Sequence, residues 1–560
     1  MFVRVVTSKQ KHGTYRSVQI VESYRDPKKS KYPITRVIAH LGQVDSLTDR
    51  DVDNIINGVC KAIGRPTSKD ATLECAWDFG HVFALLGIWK HLKVGTILKQ
   101  KAGKTGQSFD LEAHIRLMVI NRLCDPKSKL GLLQWLEGVY LPGIDRHEVE
   151  YHHLLRAMDW LIDHKEELEK KIANRLLTLF DREVDLVFYD ITSSYFEGDH
   201  SITADDIRRY GYSRDHRPER RQVVIGVVMT RDGIPLCHHV FHGATPDKST
   251  VREVVRDLKE RFGLKRVVFV GDRGMLSEEN LEYLLAEDLG FIVCHRLRQN
   301  NEIKDLVTST HEGLDPDPEA GEQYREEERE GVKFVMAYNP EAASAVRKRR
   351  EAALEKANAL IQDVRTRLRK AQEGKNRGRP LSPEGALLQV RDYLKRHNLL
   401  RCYKLELGPR KGLRVTSDSE ARRWEKLIDG KLVVETTLCD LPPEDVIRRY
   451  KELQLIERGF RSMKSSLKLR PFYHWTKRRI RAHVFLCVMA LQMERYMTAR
   501  LQPLRISAQT ALEKLRQIKA GQVVLNGAKA PVITALGEAH KAIFTQLELS
   551  FPKIKQLQDL

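Results

Sequence analysis

Residues 185–190 read DLVFYD and residues 265–274 read KRVVFVGDRG, two short apolar runs that each lead into an aspartate, Asp190 and Asp272. Between and after them the pattern is that of strands and amphipathic helices. Residues 221–243 (RQVVIGVVMTRDGIPLCHHVFHG) predict two strands joined by an Arg-Asp-Gly turn. Residues 249–263 (STVREVVRDLKERFG) predict a helix with a Ser at its cap, residues 277–290 a second helix, and residues 291–297 a further strand. The predicted order is strand, strand, strand, helix, strand, helix, strand, which is an α/β core. In an open sheet, ligands and reacting groups collect at the carboxyl edge of the strands. With the strands expected to end at Asp190 and Asp272, both carboxylates become candidate site residues. Taken singly, each also fits an ordinary turn or helix-cap aspartate.

Outward from this block, residues 1–48 alternate polar and apolar side chains around a KHG turn and predict a small antiparallel β unit. Residues 49–180 keep apolar residues at three- and four-residue spacing and predict a helical N-terminal domain, a pattern that by itself names no function. The core is expected over 181–297 and again over 441–500. Between them, residues 298–440 combine an acidic, turn-rich stretch at 315–331, a strand at 331–339, a long charged helix at 339–372 and strands at 401–408 and 430–438. The stripe of Leu354, Ala357, Ile361, Val364 and Leu368 in that helix suits a helical hairpin or coiled-coil seam. This segment reads as one mixed α+β insertion domain. Residues 501–560 are weakly patterned and are expected to be helical.

The chain has 560 residues, too many for one core, so three or more units are expected. Lys and Arg (96) outnumber Asp and Glu (76), giving a formal charge of +20 that suits a polyanionic partner. No apolar run is long enough to span a bilayer and the first residues have no signal-peptide pattern, so a soluble, cytoplasmic protein with no membrane partner is expected. The eight cysteines are scattered without CxxC or zinc-finger spacing, and are expected to be buried reduced thiols.

Residues 450–464 (YKELQLIERGFRSMK) predict one helix. Glu457 lies seven residues after Tyr450 and seven before Lys464, and seven steps return to within about 20° of one helix face. Leu453, Leu455, Ile456, Phe460 and Met463 form its apolar side. A surface helix with ordinary charge pairs also fits. Joined to Asp190 and Asp272, however, Glu457 completes three carboxylates, the hard-oxygen set suited to Mg²⁺ or Mn²⁺. Two such ions support in-line phosphoryl transfer. Lys464 would then meet a phosphate, and Tyr450 would stack on a sugar or base or donate a hydrogen bond to a phosphate.

These residues bring the chain to a known family. With Tyr450, Glu457 and Lys464, the strand VFYDITSSYFEG (187–198), the strand VVFVGDRGM (267–275), and the stretches 213–236 and 469–485, the sequence resembles the DDE transposases of bacterial insertion sequences. Those enzymes carry an RNase H-like core and a Tyr-x2-Arg-x3-Glu-x6-Lys signature. The resemblance spans roughly 185–500, and here the signature's arginine position holds Leu453; Arg458 and Arg461 are close on the helix.

It implies an α/β RNase H-like catalytic core interrupted by the insertion domain, behind a mainly helical N-terminal region. It also implies that Asp190, Asp272 and Glu457 hold two Mg²⁺ ions, Mn²⁺ substituting. The implied reaction is hydrolytic nicking at transposon ends followed by attack of the freed 3′-hydroxyl on target DNA. The partners would be double-stranded DNA, both terminal inverted repeats and target, and a second copy of the chain; the setting would be the bacterial cytoplasm and nucleoid. DNA contacts are expected from Tyr450, Lys464, Arg458, Arg461, Arg273, Lys477, Arg478, Arg479 and Arg481. An RNase H-like nuclease without strand transfer, and a domesticated DNA-binding protein with decayed catalysis, remain alternatives.

Overall fold

The strand Gln222–Thr230 (QVVIGVVMT) is rich in β-branched residues, and all its residues are buried, as in a sheet covered on both faces. The computed structural model that contains it describes residues 1–10, 13–25, 32–63, 71–103, 108–180, 186–198, 205–263, 268–272, 277–298, 301–375, 378–408, 412–525 and 528–557. The chain forms two compact units, Met1–Leu85 with Gln134–Asp145 and Thr510–Leu560, and Leu86–Leu133 with Arg146–Gln509.

The first unit holds the expected antiparallel strands, Phe2–Gln10, Gly13–Tyr24 and Ile34–Gln43. Lys11 and His12 of the expected turn lie outside the described residues. The helix Asp49–Ala62 follows, begun by a capping box between Thr48 and Asp51. Two expectations are corrected here. The region expected to be helical contains a strand, Ala71–Asp78, and the C-terminal region contains the strands Lys519–Leu525 and Ala528–Ile533. The three form one antiparallel sheet; each is short and lacks a periodic signal of its own, and the pairing of Lys519–Leu525 with Ala71–Asp78 is nonlocal.

In the second unit, the helices α1 (Leu111–Cys124), α2 (Tyr151–Asp163) and α3 (Lys165–Phe180) precede the sheet. The core elements follow as β1 (Leu186–Tyr195), β2 (Gln222–Thr230), β3 (Pro235–His242), α4 (Val251–Phe262), β4 (Val268–Asp272), α5 (Glu278–Ala286) and β5 (Gly290–Cys294). This is the predicted order. Then come β6 (Gln323–Arg329), β7 (Val332–Tyr338), α6 (Pro340–Gln372), α7 (Pro383–Arg396), β8 (Lys431–Thr436), α8 (Pro443–Lys451), α9 (Gln454–Lys464) and α10 (Lys477–Leu501).

The strands make one sheet of eight in the order β6-β7-β8-β5-β4-β1-β2-β3. The β1–β4 and β4–β5 pairs are parallel, and the rest are antiparallel. A mixed sheet covered by helices fits the RNase H-like core. The segment 298–440 is therefore less separate than expected: its strands β6, β7 and β8 extend the core sheet, because β8 pairs with β5 from Val434 against Cys294 to Thr436 against Ile292. What projects is the α6–α7 hairpin with the small strands Tyr403–Leu407 and Leu413–Ser417, and its core includes Ala357, Ile361, Val364 and Leu368 from the predicted stripe, with Leu354 packed against it. With these strands shared and the chain ends combined, two compact units stand where three or more were expected.

Val187, Tyr189 and Ile191 of β1 point into one cluster with Val254, Val255 and Leu258 of α4 and Leu281 and Leu284 of α5. By strand alternation, position 190 belongs to the opposite face, on which α9 packs against β1. The helix predicted over 249–263 begins only at Val251, after a 3-10 turn over Asp247–Thr250, and no side chain caps it. The Thr250 hydroxyl is instead bonded to Tyr189 and to the Asp247 carbonyl.

Candidate active site

The expectation that β1 ends at Asp190 is corrected: the strand runs on to Tyr195, paired with β2 as far as Gln222. Relative to its parallel neighbour, however, Asp190 is still at a strand end. β4 stops at Asp272, and β1 and β4 pair as Leu186 with Val268, Val187 with Phe269 and Phe188 with Val270. Continued to the end of β4, that register sets position 190 beside position 272. Adjacent strands lie ~4.8 Å apart, and the shared register gives both positions one face. The half-buried Asp190 accepts a hydrogen bond through Oδ1 from the Ile191 amide at 2.7 Å.

The helix expected over 450–464 is two helices. α8 ends at Lys451 and α9 starts at Gln454, so the seven-residue repeat that aligned Tyr450 with Glu457 does not hold. At the break the amides of Leu453, Leu455 and Ile456 reach back three residues instead of four, to Tyr450, Glu452 and Leu453. Glu452 is held there by Arg231, whose Nε and Nη2 donate to Oε1 at 3.1 and 2.9 Å. Tyr450 is half-buried at the end of α8. Glu457 and Lys464 do share α9.

Four contacts fix how α9 runs. Near its start, Leu455 faces Gly233 in the β2–β3 turn; further along, Gly459 abuts Met229, which pairs with Phe188 of β1. Ser462 Oγ donates to Glu494 of α10 at 2.6 Å. At the far end Lys464 Nζ donates to Asp215 Oδ1 at 2.7 Å, and the neighbouring Arg214 amide donates to Ser193 of β1 at 2.9 Å. The helix therefore runs parallel to β1, from the level of Val187 towards that of Ser193. Glu457 thus rides on the helix that covers the face of β1 to which position 190 belongs. It is exposed and makes no ion pair with a described residue, while Ile456, Phe460 and Met463 bury the apolar side and Leu453 and Leu455 are half-buried.

The basic residues divide into two groups. Arg458 and Arg461 are exposed beside Glu457, without an ion pair to any described residue, and Lys477 is exposed in the same way at the start of α10. The other expected phosphate contacts are engaged within the protein. Arg478 pairs with Asp163, Arg479 donates to both oxygens of Asp159 at 3.2 and 3.0 Å, and Arg481 donates to the Val240 carbonyl at 3.3 Å. These bonds tie α10 to α2 and β3. Lys464 is likewise shared with Asp215, and Arg273 lies outside the described residues.

Two partners were not found from the sequence. The Asp215 side chain is 5% exposed and receives both Lys464 and Arg470, the latter at 2.6 Å. No periodic signal marks a loop aspartate; only its place in 213–236, one of the family-like stretches, singles it out. Near the same end, Arg217 and Arg470 lie over the Tyr195 ring, at 5.1 and 5.5 Å from its centroid. All three cysteines on β3, α10 and the segment before Tyr403 (Cys237, Cys487, Cys402) are buried, the other five are half-buried, and none is in a disulfide.

Residues 185–493 match the family model of the transposase DDE domain, and residues 3–70 match that of the IS1634 family transposase N-terminal domain. Among solved structures, the chain is similar to a piggyBac transposase synaptic complex with hairpin DNA, at 9% identity over 81% of each chain with a TM-score of 0.37. It is also similar to a Mos1 transposase paired-end complex with the left transposon end, at 14% identity over 33% of this chain and 60% of that one, with a TM-score of 0.14. No curated protein matches it. Among the described residues, no helix is long and apolar enough to cross a membrane.

Proposed function

The chain belongs to the DDE transposase family, and on that premise we propose that Asp190, Asp272 and Glu457 are its catalytic carboxylates and hold two Mg²⁺ ions, with Mn²⁺ as a substitute. What supports this reading is the register of β1 and β4, which makes Asp190 and Asp272 neighbours, together with a glutamate helix that runs along the same strand. Carboxylates that close repel one another unless a cation offsets them, and an all-oxygen set suits a hard divalent ion. Such ions, when bound, activate an oxygen nucleophile and stabilise the leaving oxygen of a phosphodiester.

The protein's own residues supply position and charge. β1 and β4 hold the two aspartates on one rigid sheet, and α9 presents Glu457 from across it. Arg458 and Arg461 meet the phosphates that flank the scissile bond, and Tyr450 contacts a neighbouring sugar or base. Lys464 reaches a phosphate by leaving Asp215, which keeps Arg470 as its partner. The reaction is hydrolysis at the transposon ends followed by transfer of the 3′-hydroxyl strand into target DNA, by two copies of the chain acting together on paired ends. End recognition falls to residues 1–180, with the insertion and Lys477 adding non-specific contacts.

The test is Mg²⁺-dependent cleavage of paired terminal-repeat DNA by wild type and Asp190→Asn. A loss of at least about 10³-fold with DNA binding retained is expected; equal cleavage by both would remove Asp190 from the site. Cleavage without joining to a target, under conditions that pair two ends, would favour a nuclease.

A further inference from the structure

Away from the carboxylate site, at the sheet's edge strand β3, three different metal-binding side chains converge. Cys237 and His239, two apart on the strand, share the face that α4 covers, and Asp257 comes from α4. Their donor atoms all lie within 4.8 Å of one another. No CxxC or zinc-finger spacing announces them, because the cluster is made by a strand and a helix and not by a loop. We infer that Cys237, His239 and Asp257 form a zinc site that clamps α4 to the edge strand.

The geometry fits the ion. A tetrahedral centre with metal–nitrogen and metal–oxygen bonds of ~2.0–2.2 Å separates the two donors by about 3.3–3.5 Å. His239 Nε2 and Asp257 Oδ2 are 3.0 Å apart, so a shift of a few tenths of an ångström admits the ion (~0.3–0.5 Å). That nitrogen is buried and lies in ion-pair range of the carboxylate. The surroundings supply outer support of the kind metal sites use. Glu253, one helical turn before Asp257, lies 3.7 Å from the other ring nitrogen of His239. Arg261 grips the Asp257 carboxylate at both oxygens, its Nε donating to Oδ1 at 2.6 Å and its Nη2 to Oδ2, so the ion would share Oδ2 with that guanidinium. A cavity of about 860 Å³, lined in part by His239, Glu253 and Asp257, opens beside the cluster and gives a water access to the fourth position.

Charge also balances. The thiol and the imidazole enter as thiolate and neutral ring, releasing their protons to solvent, and thiolate plus carboxylate neutralise a dication. A thiolate donor selects zinc or cobalt over the magnesium of an all-oxygen site.

The test uses the full chain, stripped with a chelator and reloaded with Co²⁺ in the presence of excess Mg²⁺. Wild type is expected to take up about one equivalent with a thiolate-to-cobalt charge-transfer band, which an all-carboxylate site cannot produce. Cys237→Ser should lose the band, and Cys402→Ser, buried elsewhere, should keep it. Absence of the band in wild type overturns the site, as does its survival in Cys237→Ser. If Cys237→Ser does not fold, Asp257→Asn decides: Co²⁺ affinity should fall about 10- to 100-fold with the thiol still present, and unchanged affinity overturns the assignment.

Discussion

Lys464 Nζ and Asp215 Oδ1 are 2.7 Å apart at the end of the helix that carries Glu457, and Arg470 shares the same carboxylate. Burial lowers the Lys464 ammonium, and Asp215 opposes that shift. Asp215→Asn therefore leaves a largely buried cation facing Arg470. The expected cost is about 2–3 kcal/mol, below the range for fully buried pairs because Lys464 keeps some solvent contact. It should be read as a lowered urea midpoint of the catalytic unit, and Asp215→Leu with Lys464→Met should recover much of it. An unchanged midpoint in Asp215→Asn would mean that this pair does not hold the helix.

The division of the basic residues gives a second prediction. Arg458 and Arg461 are exposed and unpaired among the described residues, whereas Arg478 and Arg479 are spent on Asp163 and Asp159. Arg458→Ala and Arg461→Ala should each weaken DNA binding and reduce the slope of log K against log salt by about 0.9. Arg478→Ala and Arg479→Ala should leave that slope alone and lower stability instead. Filter binding across a salt series separates the two groups, and a reduced slope in the second would reassign those arginines to DNA.

Much of this arrangement was legible in the sequence, and the limits were physical. Strand order could be read because VFYD, VVIGVVM and VVFVGD are apolar runs whose identity does not depend on partners. The register of β1 on β4, which brings positions 190 and 272 level, could not be read, since register is a relation between strands that no local pattern encodes. The break between α8 and α9 was hidden because Arg231, which holds Glu452, lies 221 residues earlier. The basic run at 477–481 looked like a DNA surface because its acidic partners on α2 lie more than 300 residues away. The strand Lys519–Leu525 was missed for the same reason, as it pairs with Ala71–Asp78.

A pH dependence follows from a cluster with no carboxylate in it. Lys129, Arg122, His474 and His483 are all buried, at 4%, 3%, 8% and 2% exposure, with the Cys487 thiol among them. Burial, then the adjacent Arg122, lowers the Lys129 ammonium to about 7 from 10.5. The unfolded chain keeps that proton up to 10.5, so between these values it binds more protons than the folded one. Stability from this group is thus present above 10.5 and lost as pH falls through 7, with a limiting slope of about 1.4 kcal/mol per pH unit. His474, lowered to about 3 by burial and then by Lys129, adds a loss between 6.5 and 3. Lys129→Met should be more stable than wild type at pH 6, and its advantage should shrink as pH rises towards 10. A pH-independent difference in denaturant midpoints would rule out Lys129 as the titrating group.

On the proposed assignment Glu457 acts only if α9 lies close to the sheet, and Gly459 sets that approach. A methyl group at position 459 would sit 2.7 Å from Met229 Cε and 3.3 Å from its Sδ, and Met229 is fully buried, with no solvent side to retreat to. Gly459→Ala must therefore displace either the methionine or the helix, and lifting the helix moves Glu457 away from the sheet. A misplacement near 1 Å lowers end cleavage about 10- to 100-fold, with DNA binding retained because Arg458 and Arg461 stay exposed. Shortening the opposing side chain restores the space, so Gly459→Ala with Met229→Val should regain most of the lost cleavage. Full activity in Gly459→Ala, or no recovery in the double variant, would show that the distance between this helix and β2 does not control the reaction.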